Sequence, residues 1–195
     1  MRIHYSILIL LVFYLYTNML IPFLLLMACI ILHELGHMLF IMIFGGKVKR
    51  VNLNIIGGRI DCTIGDIGVL KNIIINLGGI MVNMIIYNYY YLFKDYAEFI
   101  KTYNYLLIVF NILPIYPLDG YRIIDIIISE LASPVSSFSI ISYISILFLI
   151  GFLIASLILS SVGLLLIGIF LVIKNIQRIR YKDRIVLQNL VKLLT

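Results

Sequence analysis

The chain alternates long apolar runs with short polar segments. A membrane-spanning helix needs about 20 mostly uncharged residues to cross roughly 30 Å of hydrocarbon. Runs at residues 3–21, 23–44, 72–93 and 102–118 contain almost no charged side chains, and a proline separates the first two. The pattern therefore predicts four helices that cross a membrane.

A fifth apolar run is too long to be a single span. Residues 133–173 contain no charged side chain, and at about 1.5 Å per helical residue they reach roughly twice the hydrocarbon thickness. We expect a helical hairpin that turns near Ser160 and Ser161, with spans at residues 138–158 and 160–174. The total is then about six transmembrane helices.

The polar segment between the second and third spans has a different pattern. Apolar and polar residues alternate on both sides of a Gly-Gly pair at residues 57–58. Alternation of this kind is typical of strands, and a Gly-Gly pair favours a tight turn. Residues 45–71 are therefore predicted to form a small β-hairpin.

The basic residues indicate how the spans are oriented. With six spans both ends of the chain lie on one side of the membrane, and of the 15 Lys and Arg residues all except Lys94 and Lys101 fall on that side. By the positive-inside rule this side is the cytosol. The two termini, the β-hairpin and a basic tail at residues 175–195 are therefore expected in the cytosol.

The composition agrees with a membrane protein. Hydrophobic residues make up 63% of the chain, charged residues 12%, and the mean hydropathy is +1.14, far from the averages of soluble proteins. The predicted fold class is an all-α polytopic membrane protein with a small cytosolic β-hairpin between helices 2 and 3. We expect one membrane-embedded domain over residues 1–195 and no appended regulatory domain.

Other readings of the charge and the cysteines are weaker. The formal net charge is +6, but the basic residues flank apolar runs and form no soluble basic domain, so we expect no nucleic-acid partner. No small-x-small cleavage site follows the first apolar run, so we interpret it as a helix and not as a signal peptide. The two cysteines provide neither a disulfide framework nor a Cys-x-x-Cys metal site.

The strongest chemical signal is the segment His-Glu-Leu-Gly-His at residues 33–37. Histidines at positions i and i+4 stand on one face of a helix and can reach the same zinc ion. Glu34 between them is placed to take a proton from metal-bound water. The alternative is a pair of core histidines with an incidental glutamate. It is disfavoured because a charged residue inside a span costs about 3 kcal/mol and survives mainly for function.

A catalytic zinc site keeps three protein ligands and an open position for water, so His33 and His37 need a third partner. Asp119 is the candidate, because it follows the fourth span on the side where the second span ends. Two prolines break the helix just before it, and irregular backbone at this depth is tolerated only where it is buried or lines a wet cavity. The competing role for Asp119 is to cap the helix that begins near Tyr121.

Residues 33–37 and 111–120 together resemble the site-2 protease family of intramembrane zinc metalloproteases. The resemblance extends to the loop between the second and third spans and to Gly78, Gly79 and Asn83 in the third span, and it covers about half of the chain. It implies one zinc ion per chain, held by His33, His37 and Asp119, with Glu34 as the general base.

The resemblance also implies supporting roles. Asn111 and Gly120 are expected to help hold the substrate or the metal site. Gly78 and Gly79 are expected to allow close helix packing, and Asn83 could form a hydrogen bond to the motif helix.

Members of this family cleave membrane-tethered regulatory proteins, and in the sporulation branch the substrate is a membrane-associated precursor of a sigma factor. The resemblance therefore implies hydrolysis of a peptide bond within or next to the membrane segment of such a protein. It places the chain in the bacterial cytoplasmic membrane, and for a sporulation role in the mother-cell membrane around the forespore. The lipid bilayer, the substrate and an inhibitory membrane protein are the expected partners.

Two positions depart from the family pattern. Ile80 follows Gly79 where proline is frequent, and Tyr121 follows Gly120 where a second glycine is common. We also expect no nucleotide-sensing domain of the kind that sporulation-type members carry, so regulation by ATP has no support in this sequence.

Two further functions compete with proteolysis. Intramembrane His, Asp and Glu residues also line ion pathways, so the chain could be an ion or metal transporter. No internal repeat is visible, however, and the ionisable residues concentrate in two segments. A catalytically inactive zinc-binding membrane protein is the other alternative, and the presence of Glu34 argues against it only in part.

Overall fold

A computed structural model describes residues 2–3, 19–54, 57–63 and 67–187. The chain divides into two compact units, residues 1–110 and 111–195. In chain order the elements are β1 (Arg2–Ile3), α1 (Leu20–Ile43), β2 (Lys47–Asn54), β3 (Gly57–Thr63), α2 (Gly68–Asn88), a 3-10 segment (Tyr90–Tyr96), α3 (Ala97–Ile112), α4 (Asp119–Leu131), α5 (Pro134–Ile158) and α6 (Val162–Arg180). Residues 182–187 are again helical.

Four of these helices, α1, α2, α5 and α6, are long and apolar enough to cross a membrane. The chain is therefore a mostly helical membrane protein, which confirms the broad prediction from hydropathy. The first predicted span, at residues 3–21, lies almost entirely outside the described residues.

The fourth predicted span differs from the helix that the structure shows. It was expected at residues 102–118, whereas α3 begins at Ala97 and ends at Ile112. Its 16 residues extend over about 24 Å, which is short of the hydrocarbon thickness. The helix ends there because Pro114 has no amide hydrogen and disfavours helical backbone at the residue before it. Six full spans are thus not confirmed within the part of the chain that the structure describes.

Between α1 and α2 the backbone forms extended strands. β2 and β3 are antiparallel, and their pairing runs from Lys47 opposite Thr63 to Asn54 opposite Gly57. β1 pairs in parallel with the other edge of β2, so β2 is the central strand of three. Gly57 and Gly58 belong to β3 and are not themselves the turn that the Gly-Gly pair suggested.

The helices α1 and α2 cross where Gly36 meets Gly78. A Cβ atom on Gly36 would lie 2.5 Å from the carbonyl oxygen of Gly78, and one on Gly78 would lie 2.7 Å from the carbonyl oxygen of Gly36. A side chain at either position would push the two backbones apart. The expectation that Gly78 allows close helix packing is therefore confirmed.

In the second unit, α5 and α6 are joined by a short break at Ser160 and Ser161. Ser160 has a φ of +49°, and the hydroxyl of Ser161 accepts a hydrogen bond from the amide of Leu164 at the start of α6. The helix α6 continues past residue 174, where the sequence placed the end of the span, as far as Arg180.

The core of the second unit joins this helix pair to the loop before α4. Ile115 in that loop is fully buried and packs with Leu149 of α5 and Leu171 of α6. The loop that precedes Asp119 is therefore held by apolar packing against both long helices.

Candidate metal centre

The two histidines of α1 face each other closely enough to share a metal ion. Their Nε2 atoms are 3.2 Å apart, and the rings meet edge to face with their centroids 4.8 Å apart. Both side chains are buried. A tetrahedral zinc ion with nitrogen ligands at about 2.0–2.1 Å separates those nitrogens by about 3.3–3.4 Å. The observed spacing therefore fits two ligands of one zinc ion.

The tautomer of His37 is fixed by the neighbouring helix. Its Nδ1 atom lies 2.8 Å from the carbonyl oxygen of Ile75 on α2. A carbonyl oxygen can only accept, so Nδ1 carries the hydrogen and Nε2 is the ring nitrogen that carries the lone pair. The contact therefore prepares Nε2 of His37 to bind a metal, in the way that hydrogen bonds from ligating histidines orient other metal sites.

The ring of His33 is held by Asn83, also on α2. The side-chain amide of Asn83 lies 3.0 Å from Nδ1 of His33, which confirms the predicted hydrogen bond to the motif helix. Asn83 is completely buried, and its Oδ1 atom has no hydrogen-bond partner in the described part of the chain. Oxygen and nitrogen of an amide exchange places on a half-turn. Asn83 can thus either donate to Nδ1 of His33 or accept a hydrogen from it.

Gly79 provides the space in which the two Nε2 atoms meet. A Cβ atom at this position would lie 2.6 Å from Nε2 of His33 and 2.6 Å from Nε2 of His37. No residue with a side chain fits there without displacing both rings. Sequence reasoning assigned Gly79 to helix packing, and the structure shows that it also faces the imidazoles directly.

Glu34 is buried on the same helix as the two histidines. A carboxylate is almost never fully buried unless it is paired or takes part in a metal site. One helix therefore contributes two imidazoles and a carboxylate to the interior of the first unit, as the spacing of residues 33–37 predicted.

Asp119 lies in the second unit, where it is the first residue of α4. The N-cap of this helix is Leu118, and the side chain of that residue makes no capping bond. Asp119 therefore does not occupy the N-cap position that the competing interpretation gave it. Its side chain is buried, as expected for a carboxylate with a specific role.

The neighbours of Asp119 have structural roles that the sequence did not resolve. A Cβ atom on Gly120 would collide with the backbone carbonyl groups of Ile112 and Leu113, so Gly120 lets the start of α4 approach the end of α3. Asn111 is half-buried on the last turn of α3. That Asn111 and Gly120 help to hold the substrate or the metal site stays a prediction.

Tyr121, in the first turn of α4, packs against the loop between α3 and α4. Its ring contacts the ring of Tyr116 edge to face, with centroids 5.4 Å apart. Burial raises the pKa of the Tyr121 hydroxyl above its ordinary value, and the positive charge of Arg178 opposes this rise only in part. The phenol is therefore neutral at physiological pH.

Comparison with known proteins supports the fold. No protein-family model matches the chain, and no curated protein matches it. The fold is similar to a solved structure, the site-2 protease from Methanocaldococcus jannaschii, with a TM-score of 0.69 and 23% sequence identity. The similarity covers 90% of this chain and 88% of that one. The chain therefore has the fold of a site-2 protease.

Proposed function

We propose that this protein is an intramembrane zinc metalloprotease of the site-2 protease type. One observation carries the proposal: Nε2 of His33 and Nε2 of His37 are 3.2 Å apart. Both residues belong to a helix that is long and apolar enough to cross a membrane. The fold shared with a known site-2 protease supports it. The proposal assigns a zinc-dependent hydrolysis to a buried site.

In this proposal Asp119 is the third ligand of the metal ion. The three side chains supply two imidazole nitrogens and one carboxylate oxygen, a set that could hold a metal ion. Two histidines and one carboxylate are also a set found in catalytic zinc sites, which leave a further position for water. Asn111 and Gly120 are proposed to support the site from the end of α3 and the start of α4.

The chemistry follows from the residues of α1. A bound zinc ion would lower the pKa of a water molecule toward about 7 and polarise the scissile carbonyl. Glu34 accepts the proton of the attacking water and delivers it to the leaving amine. His33 and His37, held by Asn83 and Ile75, keep their Nε2 atoms turned toward the reacting centre. The products are two peptides that differ from the substrate by one molecule of water.

The proposed substrate is a protein with a membrane segment, because the catalytic residues lie in an apolar helix. In the finer form of the proposal it is a membrane-tethered regulatory protein such as the precursor of a sporulation sigma factor, cleaved in the bacterial cytoplasmic membrane. Both termini lie in the cytosol. A reporter enzyme that works only in the cytosol, fused after Thr195, is expected to be active, and an inactive fusion would contradict this orientation.

The first experiment is to co-express the chain with a membrane-tethered precursor of a sporulation sigma factor and to measure cleavage and zinc content. Wild type is expected to cleave and to contain one zinc ion per chain. Glu34→Gln is expected to retain zinc without cleavage, and Asp119→Asn to lose both. Glu98→Gln is the matched control, because Glu98 is exposed on α3, and it is expected to cleave normally.

The outcomes separate the competing functions. Cleavage by Glu34→Gln would refute the proposed mechanism. Wild type that binds zinc and never cleaves this precursor would favour an inactive zinc-binding protein or a different substrate. Metal flux through wild-type vesicles that Glu34→Gln leaves unchanged would favour a transporter.

A further inference from the structure

The backbone of Tyr116, three residues before Asp119, forms hydrogen bonds with side chains from both long helices of the second unit. Its amide donates a hydrogen bond to Oγ of Ser145 on α5 over 3.0 Å. Its carbonyl oxygen accepts one from Nδ2 of Asn175 on α6 over 3.0 Å. Oγ of Ser145 in turn donates to Oδ1 of Asn175 over 2.7 Å. The three residues form a closed ring of hydrogen bonds.

This ring of hydrogen bonds uses nearly all the hydrogen-bonding capacity of the Ser145 and Asn175 side chains. Ser145 is completely buried and Asn175 is almost so. Asn175 also donates from Nδ2 to the carbonyl oxygen of Leu171 one turn earlier on its own helix, over 2.9 Å. Each polar atom of the two side chains therefore has a partner, as a buried polar network requires.

Ser145 and Asn175 are buried polar residues in helices that are long and apolar enough to cross a membrane. No charged residue lies between residues 133 and 173, and buried polar groups in a membrane helix are costly unless they are paired. The hydrogen bond from Ser145 to Asn175 also joins the two helices, as hydrogen bonds between membrane helices do.

The segment between α3 and α4 is not helical, and its buried backbone groups need partners. The amides of Ile115 and Leu118 bond to carbonyl groups within the segment, whereas both backbone groups of Tyr116 bond to side chains outside it. Ser145 and Asn175 supply those partners.

A second layer lies one turn further along the same helices. The guanidinium group of Arg178 is buried. It lies 4.6 Å from the ring centre of Tyr121 and 4.3 Å from that of Phe138, and it donates to Oγ of Ser142 over 2.9 Å. Contacts between a cation and aromatic rings are stabilising at this distance. The residues on both sides of Asp119, Tyr116 and Tyr121, are thus tied to α6.

From this arrangement we infer that Ser145 and Asn175 are positioning residues for Asp119. By fixing both backbone groups of Tyr116 they determine where the first turn of α4 begins and so where the carboxylate of Asp119 lies. The inference rests on the proposed function, because it gives a purpose to the position of Asp119 as a metal ligand. Residues that orient metal ligands in this way change metal affinity about 10–100-fold when they are replaced.

The test compares purified wild type with Ser145→Ala and Asn175→Leu. The control is Ser156→Ala, which removes a completely buried hydroxyl from the same helix α5. This hydroxyl donates to the carbonyl of Leu153 within α5. For each protein we would measure Zn²⁺ affinity by competition with a chelator, the visible absorption spectrum of the Co²⁺-loaded protein, and the thermal unfolding midpoint.

Ser145→Ala and Asn175→Leu are expected to bind Zn²⁺ about 10–100-fold more weakly than wild type and to shift the Co²⁺ spectrum, because the spectrum reports the geometry of the ligands. Ser156→Ala is expected to match wild type in both measurements. If Asn175→Leu does not fold, Ser145→Ala decides, because it deletes a single oxygen atom.

Wild-type affinity together with a wild-type Co²⁺ spectrum in Ser145→Ala would overturn the inference and leave the proposed function standing. A wild-type protein that binds neither Zn²⁺ nor Co²⁺, or binds them equally well after His33→Ala, would overturn the proposed function and the inference with it.

Discussion

The side-chain amide of Asn83 lies 3.0 Å from Nδ1 of His33, although the two residues are fifty positions apart in the chain. When His33 binds a metal through Nε2, its hydrogen is on Nδ1 and requires an acceptor. The Oδ1 atom of Asn83, which has no other partner in the described residues, can provide it after a half-turn of the amide. Asn83 is therefore placed to select the metal-binding tautomer of His33.

Replacing Asn83 with leucine should weaken metal binding. We expect Asn83→Leu to lower Zn²⁺ affinity about 10–100-fold, because the acceptor that orients His33 is lost. Chelator competition on the purified protein measures the effect. Asn104→Leu is the matched control: Asn104 is as deeply buried as Asn83 but donates to Ile100 and Cys29, away from the histidines. Equal losses of affinity in both variants would contradict the role assigned to Asn83.

A methyl group at Gly79 should disable the site. In Gly79→Ala the new Cβ atom would lie within 2.6 Å of the imidazoles of His33 and His37 and would displace both. Misplacing catalytic groups by about 1 Å costs about 100-fold in rate, so we expect at least that loss in an assay of substrate cleavage.

The control for Gly79 is Gly151→Ala. Among the described residues no atom lies within 4 Å of a Cβ atom at Gly151 on α5, and alanine is favoured over glycine in a helix by about 0.5–1 kcal/mol. This variant should cleave normally. Normal cleavage by Gly79→Ala as well would show that the imidazoles do not need the space that Gly79 leaves.

A methyl group at Gly120 should act on the second unit. Its Cβ atom would meet the carbonyl groups of Ile112 and Leu113, so the start of α4 would have to move. We expect a loss of about 1–3 kcal/mol in stability, typical of overpacking, visible as a lower unfolding midpoint in detergent. In Gly163→Ala the new Cβ atom meets no atom of the described part of the chain within 4 Å, so this variant should unfold as wild type does. A wild-type midpoint for Gly120→Ala would count against the close approach.

Removal of the metal should abolish cleavage reversibly. Treatment with 1,10-phenanthroline is expected to stop hydrolysis of the co-reconstituted sigma-factor precursor, because the proposed mechanism requires a metal-activated water. Addition of Zn²⁺ in excess of the chelator should restore it. The measurement is product formed per minute with zinc content determined in parallel. Cleavage that persists in protein shown to be free of metal would exclude a metalloprotease.

The sequence predicted those parts of the site that depend on local geometry. His33 and His37 meet because residues four apart on one helix lie on the same face, and no knowledge of packing is needed. The space beside Gly79 and the carbonyl of Ile75 could not be assigned in the same way. Both contacts depend on how α2 lies against α1, which follows from the crossing of Gly36 and Gly78 and not from any short motif.

Span ends were predicted less well than span existence. The absence of charge predicts a fourth span as far as residue 118, but prolines end α3 at Ile112. The charges that begin at residue 174 predict the end of the last span there, yet α6 continues to Arg180. Lys174 lies over the ring of Phe170 and Arg178 over several rings. A hydropathy scale treats such charged residues as solvated. Contacts with aromatic rings allow the helix to continue through them.

The order in which the chain is synthesised gives the contacts between α1 and α2 a further consequence. His33, His37 and the α2 residues that orient them all lie within residues 20–88, and nascent chains fold from the N-terminus onward. The pair of imidazoles can therefore form before the second half of the chain has been inserted into the membrane. On the proposed assignment a nascent chain at that stage holds two of its three metal ligands, and we expect it to be inactive toward neighbouring membrane proteins until its second half has been inserted.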